Sequence, residues 1–171
     1  MHEIQVFVGQ NEVIEIFESK WTAARLFPLT SDMAIVPVTD SLVVEMIGRR
    51  LEWPDLEEVT SGEDLVKGLE AILCSLHKSF LPGRVALLMT QYFGGIGTQA
   101  AILVNQEDTL NRSILGENSI NAVLAELDVC RDLATGRDEF DTVGLYRWRS
   151  NNDILESAGS CPLEPEDQET I

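Results

Sequence analysis

With 171 residues, a hydrophobic fraction of 44% and a charged fraction of 24%, the chain has the size and composition of one globular domain, which excludes disorder over most of its length. The 29 acidic side chains against 12 basic ones give a formal charge of −17, a balance that repels phosphate backbones and anionic lipid. No apolar run approaches the roughly 18 residues of a membrane span, and the first eight residues lack a secretory signal's cationic start and long apolar core, so a cytoplasmic protein is expected.

Ile4, Val6 and Val8 alternate with polar or differently facing neighbours and predict a first strand. Asn11 then offers a cap before Val13, Ile14, Phe17 and Trp21, which recur at helical spacing. Residues 23 to 28 and 33 to 38 read as extended, and Pro37 restricts the second of these to a strand terminus or an edge. Leu42, Val43, Met46 and Ile47 share the face of a second helix, which Thr39, Asp40 or Ser41 can cap.

The strongest periodicity predicts a helix from about 62 to 80, with Leu65, Leu69, Ile72, Leu73, Leu76 and Phe80 on one stripe. Thr60 and Glu63 form its capping box, and Pro82 with Gly83 stops it. Two apolar runs, 84 to 91 and 98 to 104, flank a turn containing Gly94, Gly95 and Gly97 and predict a β-hairpin. After Asn118, the residues Ile120, Val123, Leu124 and Leu127 predict a helix over about 119 to 128 whose apolar stripe lies on a sheet. Residues 138 to 149 mix charges with large aromatics without a clean period and read as irregular or short helix.

The expected fold is therefore α+β: a single domain over 1–149 with a mixed, mainly antiparallel sheet covered by three to four helices. From Ser150 onward there are six acidic residues, no basic ones and little apolar material, so 150–171 is expected to be an acidic, mobile tail. Without it, 23 acids face 12 bases, and the domain itself keeps a charge of about −11.

Chemistry-bearing patterns are sparse. Gly95-Ile96-Gly97-Thr98-Gln99-Ala100 matches the spacing G-x-G-x-x-A, but a β-forming run follows it where a dinucleotide fold needs a helix, so a hairpin turn explains the glycines better. Tyr92, Phe93 and Gln99 flank that turn, either folded back onto the sheet or forming a contact surface or shallow pocket. Asp138, Glu139 and Asp141 suit a solvated or partner-facing cluster, while Arg147 and Trp148 are residue types enriched at binding hot spots. Cys74 and His77 lie three residues apart on the predicted helix and read as surface residues. Three cysteines at wide spacings, Cys74, Cys130 and Cys161, read as reduced thiols. No metal site or cofactor is expected, and no nucleophile elbow or zinc-protease motif occurs, although carboxylate catalysis stays open.

The segments Tyr92-Phe93-Gly94-Gly95-Ile96-Gly97-Thr98-Gln99-Ala100-Ala101, Ile120 to Leu124, and Asp138-Glu139-Phe140-Asp141 with Gly144-Leu145 are similar to those of a family of small uncharacterised bacterial proteins. Met33 to Leu42 also resembles that family's early strand and helix start. The resemblance spans about 110 residues, Phe27 to Leu145. It implies a bacterial cytosolic protein, supplies no catalytic residue, and marks the hairpin and the Asp138–Asp141 segment as the places to watch.

Two functions follow as expectations. The first is a protein-binding module whose acidic surface meets a basic partner, in its sharpest form an immunity protein that occludes a cationic toxin or nuclease. The second is a small-molecule sensor or enzyme with a pocket between the hairpin, residues 92–99, and the 138–148 segment. Self-association through aromatics is a third reading, and the oligomeric state stays open.

Overall fold

In the computed structural model, which describes residues 2–79, 83–93, 96–105 and 112–157, both faces of one sheet are covered by helices. That double burial is why the long strands carry apolar residues at consecutive positions. The strands are β1 (His2–Gln10), β2 (Phe27–Pro28), β3 (Met33–Pro37), β4 (Arg84–Phe93), β5 (Ile96–Asn105) and β6 (Arg112–Leu115), in the order β2-β3-β1-β4-β5-β6. Each pairs antiparallel with its neighbours. Successive side chains alternate between faces. Val85, Leu87 and Met89 of β4 therefore join Phe7 and Ile102 in one core, while Ala86 and Leu88 join Ile4, Val6 and Leu103 in the other.

The first core is closed by α1 (Asn11–Lys20), α2 (Asp40–Ile47), α3 (Gly62–Gly68) and α4 (Glu70–Lys78), and the second by α5 (Ser119–Glu126), α6 (Glu139–Val143), a 3-10 turn at Leu145–Arg147 and α7 (Asn151–Ser157). The molecule is a single α+β domain of three layers, as expected in class, with more and shorter helices than periodicity indicated. Phe17 anchors α1 to the sheet, its ring centroid 4.9 Å from that of Phe7 and 4.4 Å from that of Trp21. Among the described residues no helix is long and apolar enough to cross a membrane.

Several element ends differ from the sequence reading. The long stripe over 62–80 is two helices, because Leu69 leaves helical geometry (φ −109°, ψ 6°) after Gly68, a poor helix former, while its side chain stays fully buried. Ser61, not Thr60, is the cap: its hydroxyl accepts from the Asp64 N–H and donates back to the Asp64 carboxylate. Thr39 caps α2 as expected, accepting from Leu42 N–H. Asn11 is not a cap, because β1 runs directly into α1 and the Asn11 N–H is taken by the Asp32 carbonyl at 2.8 Å. Pro82 lies outside the described residues.

The largest correction concerns the C-terminal segment. Pro37 ends β3 opposite Val6, so the first residues of β1 lose their β3 neighbour. The chain near 150 fills the gap. Glu3 N–H donates to the Arg149 carbonyl at 2.8 Å, and Glu3 forms an isolated parallel bridge with Ser150. The Asn151 side-chain amide then accepts from Gln5 N–H at 2.9 Å and donates to the carbonyls of Gln5, at 2.9 Å, and Val38, at 3.0 Å. α7 follows with Ile154 fully buried in the second core. A domain boundary at 149 therefore cuts through ordered structure, and only the part of the expected tail beyond Ser157 lies outside the described residues.

Candidate functional site

The glycine hairpin is built for close backbone approach. Gly97 pairs with Tyr92, and a Cβ at Gly97 would sit 2.1 Å from the Gln91 carbonyl oxygen and 2.8 Å from the Tyr92 ring. Glycine is required there because the backbone of Gln91 and Tyr92, with the Tyr92 ring behind it, leaves no room for a Cβ. Tyr92 and Gln99 emerge on the same face, and the Gln99 amide donates to the Tyr92 hydroxyl at 2.9 Å.

Gln99 also caps the start of α5. Asn118 has a left-handed backbone (φ 65°) and makes no capping bond, whereas the Gln99 side-chain oxygen accepts from Ile120 N–H at 3.3 Å. One side chain thus joins the hairpin to the first turn of α5. On the next turn the Asn121 oxygen accepts from Phe140 N–H at 2.9 Å, and its amide donates to Asp138 Oδ2 at 3.0 Å. Asp138 Oδ1 caps α6 by accepting from Asp141 N–H at 2.9 Å.

These links bring the two regions singled out in the sequence to one place. Between them lies a recess of about 390 Å³ lined by Tyr92, Gln99, Asp138 and Phe140, together with Thr90, Asn118, Ile120 and Asn121. Two further recesses lie near the same end of the sheet. Residues Trp53 to Leu56 lean over Glu3, Gln5 and Thr90 to Gln91 to enclose about 190 Å³, and Ser150 to Asn152 border about 260 Å³ against Glu3 and Gln5. Thr90 borders the first two and Glu3 the last two, so the three lie around the end of the sheet where β1 starts and β4 finishes, the first on the face of the second core and the second on the face of the first.

The remaining candidates are placed differently. Glu139 is not solvated: it is only 6% exposed and its carboxylate accepts twice from Arg131 Nε, at 2.9 and 3.1 Å. Asp141 is half-buried and does not line the recess. The Arg147 guanidinium lies 4.5 Å above the Trp148 ring and donates to the Gly144 carbonyl, while Trp148 is packed in the second core, so this pair holds the fold together. Gly94 and Gly95 lie outside the described residues, as does the side chain of Phe93. Cys74 and Cys130 are exposed, and His77 is half-buried.

Sequence reasoning did not single out Thr90 and Asn121 as site residues. The available signal was polarity inside otherwise apolar runs, Thr90 after Val85 to Met89 and Asn121 within Ile120 to Leu124.

Carboxylates held below their ordinary range lie elsewhere and stabilise turns. Backbone N–H groups of Ala23 and Thr22 lower Glu45, the hydroxyls of Ser61 and Thr60 lower Asp64, the Thr135 hydroxyl and amide lower Asp132, and Arg149 N–H lowers Asp153. Among the described residues no group of three or more His, Cys, Asp or Glu side chains is arranged to hold a metal ion. No family model, curated protein or solved structure matches the chain.

Proposed function

We propose that this protein is a binding module that captures a basic protein partner at the β1/β4 end of its sheet, most sharply as an immunity-type inhibitor of a cationic toxin or nuclease in a bacterial cytoplasm. The observation that carries this reading is the convergence of three recesses on one acidic sheet end, bordered by Glu3, Asp55 and Asp138. The loop over the second recess and the start of α3 strengthen it. Glu52, Asp55, Glu57, Glu58, Glu63 and Asp64 are all exposed, with no basic residue between Arg50 and Lys67. Such a field raises the local concentration of a cationic partner and speeds its capture, and recesses give side chains of that partner places to seat.

The test is the association rate with a basic protein, beginning with any that a neighbouring gene encodes, across a salt series. Replacing Glu3, Glu52 and Glu57 by lysine touches exposed side chains only. It should slow association roughly tenfold or more at low salt and leave thermal stability unchanged. An association rate indifferent to both salt and charge reversal counts against the proposal.

A second reading, a small-molecule sensor or enzyme, draws on the same 390 Å³ recess beside the hairpin. Its polar groups are engaged in capping and cross-linking, which favours a preformed binding surface over proton transfer. A ligand-induced thermal shift or turnover with a small molecule would move the balance toward it.

A further inference from the structure

We infer that the recess between the hairpin and the α5–α6 pair is a socket for a guanidinium group, supplied by an arginine of the basic partner proposed above, on which reading the inference rests. The charge in the recess sets the sign of the ligand. Among the described residues that line it, Asp138 is the only one with an acidic or basic side chain other than the Tyr92 phenol. Helix N-termini attract anions through free N–H groups, but here three donors of these first turns are already engaged. Ile120 N–H is taken by Gln99, Phe140 N–H by Asn121 and Asp141 N–H by Asp138.

The acceptors are in the opposite position. Each Asp138 oxygen accepts one bond, Oδ1 from Asp141 N–H and Oδ2 from the Asn121 amide, and each keeps a second lone pair. The same two bonds fix the carboxylate before any ligand arrives. Tyr92 and Phe140 add aromatic surface to the walls. A planar cation that stacks on aromatic faces while donating two parallel N–H groups to a carboxylate matches this arrangement, and arginine fits it better than lysine. The volume of about 390 Å³ accommodates the side chain with its methylenes.

The experiment is a titration of the isotopically labelled full chain with N-acetyl-arginine amide, read by NMR at the side-chain amides of Gln99, Asn118 and Asn121. N-acetyl-citrulline amide, of nearly the same shape without the charge, serves as control. The socket predicts saturable shifts at these amides with the arginine compound, weaker ones with the lysine analogue and none with citrulline. Asp138→Asn keeps an oxygen for the α6 cap but turns an NH2 toward the Asn121 amide, so it should weaken arginine binding at least about tenfold while lowering the melting temperature by a few degrees at most.

Absence of saturation, an equal response to citrulline, or shifts confined to another surface overturns the socket, and the citrulline comparison does so on the wild-type protein alone. If the arginine compound is ignored while a basic protein still associates in a salt-dependent way, the socket fails and the binding module stands. Arginine binding without association of any basic protein refutes only the binding module.

Discussion

Asn151→Ala tests whether the segment near 150 completes the sheet. The substitution removes three hydrogen bonds to main chain, those to Gln5 N–H, Gln5 C=O and Val38 C=O. Their losses are unequal. The Gln5 carbonyl keeps a second donor, Val38 N–H at 2.9 Å, whereas no replacement strand takes the Gln5 N–H. One orphaned donor at about 1–3 kcal/mol and two weakened acceptors at a few tenths to about 1 kcal/mol each give a cost of about 1.5–5 kcal/mol. For a domain of this size that is about 3–20 °C in melting temperature. Urea denaturation followed by tryptophan fluorescence measures it, with an unchanged m-value as the sign that the effect lies in the folded state. Asn151→Asp is a sharper companion, since it retains an acceptor for Gln5 N–H but aims a carboxylate at two carbonyl oxygens, and it should be at least as damaging as alanine. A cost below about 0.5 kcal/mol for Asn151→Ala, the level of an ordinary surface substitution, would refute the reasoning and restore the segment to a dispensable tail.

Gly97→Ala would place a methyl group 2.1 Å from the Gln91 carbonyl oxygen, and because the obstacles include backbone, relief requires moving the hairpin; denaturation should show a loss of about 2–4 kcal/mol. Gln99→Leu preserves bulk but uncaps Ile120 N–H, so a loss of about 1–2 kcal/mol is expected, with faster hydrogen exchange at the start of α5. Glu45 is bound by Ala23 N–H, Thr22 N–H and the Thr22 hydroxyl, which hold its carboxyl below the ordinary value of 4.5. The unfolded chain then binds this proton more tightly than the folded one. The stability advantage of wild type over Glu45→Gln is therefore full above the unfolded pKa and disappears as pH falls through the folded one, which paired denaturation curves from pH 7 downward will check.

How far the sequence discloses this architecture depends on whether a signal is local. Helical spacing at Val13, Ile14 and Phe17, the Thr39 cap and the terminating Pro37 are local, and each matches the structure. The paired runs of the hairpin are equally legible, because double-sided burial makes β4 and β5 apolar at successive positions. Long-range completion is not local. Nothing near Asn151 signals that Gln5 awaits a partner 146 residues away, and low hydrophobicity conceals how much one buried Ile154 and one amide accomplish. The cap of α5 is non-local in the same way, since Gln99 comes from another element.

The recess shows both sides of this limit. Tyr92, Gln99 and Asp138 can be singled out from composition and turn chemistry, and the fold joins them. Glu139 reads as one more acid in a charged cluster, and only tertiary structure shows it buried against Arg131.

Hydrogen exchange on the complex with the basic partner tests the central claim most directly, because it reports where the surface is covered without altering a residue. The account predicts slowed exchange at residues 52–58 over the second recess and at 116–121 beside the first, with the outer faces of α1 and α4 unaffected. Protection confined to those outer helical faces, or no protection anywhere under saturating partner, would contradict it.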